Sequence, residues 1–306
     1  MNIIRTFFLT AITVIIIGCS VEDQEITNYD VIVRGGTIHD GLGNPGSIGD
    51  VAINADRIVA IGDLGSAKGT EEIDATGLVV APGFINVLSH SMRNLIHDPR
   101  GMSELKQGVT LEIFGEGSSM GPITPRMREQ EINNQGDIKY DIPWTTLGDY
   151  LSYMEQYGIT PNVASFVGAG TVRQNEIGNE NRLPTEDELL RMQQLVIDAM
   201  NEGALGVGSS LIYAPDSYSD TNELIALNKA ASVCGGSYIS HLRSEGNMFE
   251  AAVDELITIA RDANIPAEIY HLKAAGKDNW VKLDPIIKKI EDARATGTKP
   301  TAPMYS

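Results

Sequence analysis

From about residue 80 onward, short apolar runs alternate with segments of helical period, and this alternation constrains the fold more than any other feature. A chain that leaves a strand through a helix and returns to the same sheet runs parallel to the strand it left. Two such runs are Ser237-Tyr238-Ile239-Ser240-His241 and Ala267-Glu268-Ile269-Tyr270-His271. Between them Asn247 is the expected N-cap, Glu250 takes the capping-box position, and Ala251, Leu256, Ile257 and Ile259 supply apolar surface. Parallel strands end on one face of their sheet, where α/β barrels assemble active sites from the residues that follow each strand. Two imidazoles at that face point to a metal ion; the plainer reading is that each histidine merely ends its strand.

Strands are expected near 84–88, 109–114, 162–167, 204–208, 237–240, 266–270 and 299–304. Thr185 and Glu188 form a capping box ahead of Leu189, Met192, Val196, Ala199 and Met200, which recur at helical spacing. These strands are one short of the eight that close a (β/α)8 barrel. Residues 82–306 are therefore read as an incomplete TIM barrel, truncated before its last strand. Residues 29–81 read as a small sheet domain, from Val31-Ile32-Val33, Asp50-Val51-Ala52-Ile53 and Arg57-Ile58-Val59-Ala60-Ile61-Gly62, with the polar turn Asn54-Ala55-Asp56.

A formal charge of -18 argues against a nucleic-acid surface, which needs clustered Lys and Arg to neutralise phosphates. At the N-terminus, Arg5 and the apolar stretch from Thr6 to Ile17 read as a secretory signal, too short to span a bilayer comfortably. Ile16-Ile17-Gly18-Cys19 is similar to a bacterial lipoprotein box. The expectation is a signal peptide over 1–19, lipidation of Cys19, a polar tether over 20–28, and a lipid-anchored protein of the cell envelope. Cys234 is the only other cysteine and reads as a buried apolar thiol in a helix, leaving no intrachain disulfide after lipidation.

The segments Tyr29-Asp30-Val31-Ile32-Val33-Arg34-Gly35-Gly36 and Ala81-Pro82-Gly83-Phe84-Ile85-Asn86 resemble the opening of amidohydrolase-superfamily enzymes, in which a β-sandwich precedes a metal-dependent barrel. Gly108-Val109-Thr110, Pro161-Asn162-Val163-Ala164, Thr171-Val172-Arg173, Gly203-Ala204-Leu205-Gly206, His241-Leu242-Arg243-Ser244-Glu245 and His271-Leu272-Lys273 narrow the resemblance to the N-acyl-D-amino-acid deacylases. The resemblance implies a tightly bound zinc held by His241, His271 and a ligand after the second barrel strand. Glu116 stands there in place of the cysteine of well-known members, and a carboxylate is an acceptable zinc ligand. Where the family has His-x-His after the first strand, this chain has Leu88-Ser89-His90; only His90 remains, expected to orient water or substrate. Gly168-Ala169-Gly170 occupies the place of a further histidine.

By the same resemblance Lys273 is the residue expected to bind a carboxylate or polarise the scissile carbonyl, with Arg173, Ser118 and Tyr305 at the substrate rim. Ser119, Arg243 and Tyr213 are weaker candidates for that rim, and His39 and His97 have no assigned role. The implied reaction is zinc-dependent hydrolysis of an N-acyl amino acid to a carboxylate and a free amino acid. The implied general base is an aspartate beyond Ser306, so the chain is read as an N-terminal piece, inactive by itself. The alternatives are a hydantoinase-like or dipeptidase-like hydrolase and a barrel that has lost catalysis and only binds ligand.

Overall fold

The computed structural model describes residues 28–303, which divide into two compact units between Pro82 and Gly83. The first is a mixed five-stranded sheet of β1 (Asn28–Ile38), β2 (Ser47–Asn54), β3 (Arg57–Gly62), β4 (Lys68–Asp74) and β5 (Val79–Val80). β1 pairs antiparallel with β2, parallel with β4 along its first half and parallel with β5 at its end. Arg34 on β1 clasps this sheet electrostatically, donating to Asp50 on β2 at 3.0 Å and to Glu72 on β4 at 3.1 Å. The expected sandwich is thus one sheet among the described residues. The sequence pattern missed β4, whose only apolar side chain is Ile73; its backbone ladder to β1, with Val31 opposite Glu71, makes it a strand.

The second unit is α/β, and every strand pairing in it is parallel. Its strands are β6 (Phe84–Asn86), β7 (Val109–Phe114), β8 (Asn162–Ser165), β9 (Val167–Gly168), β10 (Gly206–Ser210), β11 (Ser237–His241), β12 (Ala267–Ile269) and β13 (Pro300–Thr301). They form two sheets, β6-β7-β8 and β9-β10-β11-β12-β13. Only Phe166 separates β8 from β9, so one run of chain changes ladder at that residue and serves both sheets. Among the described residues no pairing joins β6 to β13, and the array is not a closed ring.

The helices are α1 (Asn94–His97), α2 (Met102–Leu105), α3 (Pro125–Asn134), α4 (Leu147–Tyr157), α5 (Ala169–Glu176), α6 (Glu186–Asn201), α7 (Thr221–Val233), α8 (Phe249–Ala263) and α9 (Leu283–Ala295). At α6 the Thr185 hydroxyl accepts the Glu188 N–H at 3.3 Å and the Glu188 carboxylate accepts the Thr185 N–H at 2.8 Å, a complete capping box. The box expected at Asn247 is not formed: Met248 precedes α8 with no side-chain cap. That helix is held instead by its apolar face, with Phe249, Val253, Leu256 and Ile259 buried in the main core. Cys234 follows α7 and is exposed, not buried, because the helix ends one residue before it.

Side chains alternate along a strand, so one face of this array packs on helices and the other turns inward. Tyr238 belongs to the large core shared with the helices. Its neighbour Ile239 joins a small inner cluster with Phe166 and Tyr270, flanked by Leu88 and Ile113.

Candidate metal centre

His241 is the last residue of β11 and, two positions after Ile239, stands on the same inward face. His271 follows β12, and its backbone takes φ 40° in the left-handed region, uncommon for a residue with a Cβ. Ile269 faces the helices and Tyr270 faces inward, so continued alternation would send His271 outward; the left-handed turn brings its ring to His241 instead. Glu116 follows β7 between Gly115 and Gly117, at φ 110° and 68°. A Cβ on Gly115 would lie 2.5 Å from the Phe166 carbonyl oxygen, and one on Gly117 would lie 2.7 Å from an Asp216 carboxylate oxygen. Glycine is required at both places, by torsion and by space.

These three loops set a histidine pair between two carboxylates. Glu116 Oε1 is 2.9 Å from His241 Nδ1 and 3.6 Å from His271 Nε2, and its Oε2 is 3.4 Å from the exposed His90 Nε2. On the far side, Glu245 Oε1 is 3.2 Å from His271 Nδ1 and 3.5 Å from His241 Nε2, and it accepts from Lys273 Nζ. The two rings meet edge to face at 4.6 Å between centroids, and Tyr213 packs edge-on against His241. Burial alone would raise the Glu116 carboxyl, but the hydrogen bond with His241 and the charges of His241, His90 and His271 outweigh it and hold the group below its usual range. Burial, with Lys273 and His241 alongside, depresses the His271 imidazole and favours the neutral form that binds metals.

The pair opens into a cavity of about 720 Å³, whose walls include His90, Glu116, Tyr213, Glu245 and Lys273. Glu116 and Glu245 are its carboxylates among the described residues. One ligand atom from each of Glu116, His241 and His271 lies within 4.8 Å of the others. A carboxylate with two neutral imidazoles is a donor set that suits zinc, and three protein ligands leave a coordination position open. His241 Nε2 is buried without a hydrogen-bond partner, a further sign that this ring is arranged around something besides protein atoms.

Other expected rim residues lie elsewhere. Arg173 is fully buried, paired with Glu223 at 2.6 Å and donating to the backbone carbonyl of Glu180, so it braces α5 against α7 and does not face the cavity. Ser118 lines a separate cavity of about 430 Å³ with Arg93, Glu131 and Trp144. The Ser119 hydroxyl donates to the Gly121 carbonyl, which fixes the turn after Glu116. Arg243 pairs with Glu255 and donates to the carbonyls of Ser217 and Ser219, tying down the loop that carries Tyr213. Tyr305 and Cys19 lie outside the described residues. Glu245 had no role in the sequence reading; its only signal there was an acidic residue four positions beyond a strand-end histidine. Asp216 was also missed: its carboxylate, buried beneath Gly117, accepts the Ser210 N–H at 2.7 Å.

No protein-family profile matches the chain. Individual proteins do. D-aminoacylase of Alcaligenes xylosoxydans xylosoxydans is 32% identical over 271 residues, 87% of this chain and 55% of that protein. N-acyl-D-glutamate deacylase of the same organism is 31% identical over 90% of this chain and 56% of its own length. Among solved structures, a D-aminoacylase aligns with TM-score 0.80 at 31% identity, covering 90% of this chain and 58% of that one. N-acyl-D-glutamate deacylase from Bordetella bronchiseptica, complexed with zinc and a phosphonate inhibitor, aligns with TM-score 0.82 at 28% identity, covering 91% and 58%. An L-hydantoinase from Arthrobacter aurescens, at TM-score 0.56 and 14% identity, shares the fold alone. The parallel α/β unit is thus similar to solved amidohydrolases over about nine-tenths of this chain. Within that family the chain is a homologue of the D-aminoacylases and N-acyl-D-amino-acid deacylases, and it spans a little over half the length of these relatives.

Proposed function

We propose that the protein is a zinc-dependent hydrolase that cleaves the amide bond of N-acyl-D-amino acids to a carboxylate and a free amino acid. The observation that carries this reading is the convergence of Glu116, His241 and His271 after three parallel strands, in a homologue of N-acyl-D-amino-acid deacylases. Zinc at such a site supplies Lewis acidity, polarising a carbonyl and acidifying water. Lys273 offers a fixed positive charge at the cavity wall for a substrate carboxylate or a developing oxyanion. In this reading His90, exposed beside Glu116, orients water or substrate. Tyr213 gives the substrate an aromatic wall.

The same reading makes the seven parallel strand positions an arc of a (β/α)8 barrel, and the first sheet part of a β-sandwich. It places the protein in the bacterial envelope, anchored by lipid on Cys19; loss of lipid labelling in Cys19→Ala checks the anchor. The activity is tested by metal analysis with an assay of the full chain on N-acetyl-D- and N-acetyl-L-amino acids. Hydrolysis of the D-substrates together with about one tightly held zinc supports it. Ligand binding without tight zinc or turnover would favour the noncatalytic barrel.

A further inference from the structure

The cavity of about 430 Å³ lies among the segments that follow β6, β7 and β9, and it shares no lining residue with the cavity at the metal centre. We propose that it is a binding site for a free amino acid with an apolar side chain. The site stands on its own residues; only the link between its ligand and the product of amide hydrolysis rests on the hydrolase reading.

Among the described residues its wall carries one cation and one anion, Arg93 and Glu131, joined in a two-pronged ion pair. Arg93 Nη2 donates to Glu131 Oε2 at 2.9 Å and Arg93 Nε donates to Oε1. The Tyr140 hydroxyl also donates to Oε1, at 2.9 Å, and fixes the carboxylate in place. Oε1 is thereby filled, whereas Oε2 keeps room for one more donor. Arg93 Nη1 has no acceptor among the described residues. The pair thus offers, side by side, donors that suit a carboxylate and an acceptor that suits an ammonium. Its charges cancel, so a phosphate finds no second cation and a metal ion no second carboxylate; a zwitterion matches both members. The rest of the wall sorts the same way. Gln130, Asn134 and Gln174 bring amides that both donate and accept. Met120, Met127, Ile142 and Trp144 are buried and give an aliphatic side chain its apolar surface. The Trp144 indole N–H is already spent on the Met120 carbonyl at 2.8 Å, which leaves that ring only its apolar surface to offer.

The test is equilibrium dialysis of the full chain against radiolabelled D-leucine, in a Lys273→Met background that takes the lysine away from the metal-centre cavity. Saturable uptake of a single leucine per chain is expected. Leucinamide and isocaproate, which each lack one of the two charges, should compete roughly tenfold or more less well. Arg93→Gln should weaken leucine binding by a similar factor. Gln130→Trp, at an exposed position of α3, leaves the ion pair intact and fills the cavity; it should abolish binding with the melting temperature unmoved. If Arg93→Gln fails to fold, Gln130→Trp decides. Absence of saturable uptake overturns the proposal, as does uptake that Gln130→Trp leaves unchanged, or leucinamide or isocaproate bound as tightly as leucine. Dialysis reads the site without turnover, so a chain that binds leucine here yet hydrolyses no N-acyl amino acid overturns the hydrolase reading and keeps the site.

Discussion

Asp216 concentrates, in one residue, the electrostatic cost of building this loop cluster. Burial pushes its carboxyl up to about 7, with the Ser210 N–H pulling the other way and Glu223 adding to the rise. A raised value means the folded state holds its proton more tightly than the unfolded chain. The stabilisation is complete below the unfolded value, near 4, and is lost as the pH climbs through about 7. Asp216→Asn keeps the acceptor for Ser210 and removes the titration. Its stability relative to wild type should therefore rise between pH 5 and 8, by about 3 kcal/mol, in denaturant melts across that range. Lys273→Met should cut turnover of the full chain tenfold or more, about 1.4 kcal/mol, with a small shift in melting temperature; intact turnover with a large loss of stability would contradict the role. Residues at or just after a strand end, such as Glu116, His241 and His271, are legible in one sequence because the end of a short apolar run marks their place. Arg173 was not, since its fate is decided by Glu223, fifty positions away. Glu245 was not, since its loop must fold back over its own histidine.

The elements divide by where their determinants lie. The start of α6 is written locally: Thr185 and Glu188 satisfy one another's backbone N–H groups, and the same pair is visible in the sequence. Thr185→Ala should cost about 1 kcal/mol in chemical denaturation, since it leaves the Glu188 N–H without its acceptor. The start of α8 is not written locally; Phe249 anchors it through burial, which depends on partners distant in the chain. β4 is the clearest failure of pattern, because a strand of mostly polar residues exists only where a neighbour offers a ladder. The parallel strands of the second unit were legible because buried parallel strands read as short apolar runs bounded by helices.

For the whole molecule, ligand binding to the folded state alone raises stability by about 2.7 kcal/mol at a hundredfold excess over Kd. Zinc should accordingly raise the melting temperature of the full chain by several degrees, and a chelator should reverse it; no shift in the wild type would speak against a preformed site. The seam at Phe166 gives this a directional form. The ladder before it carries His90 and Glu116, and the ladder after it carries His241, Glu245, His271 and Lys273. An ion shared by Glu116 and the two histidines would act as a rivet through two plates that the backbone joins at one edge. Its grip would then register far from the imidazoles: amide hydrogens of β7, on the plate that lacks the ligand histidines, should exchange more slowly with zinc present and show no such slowing in His241→Ala.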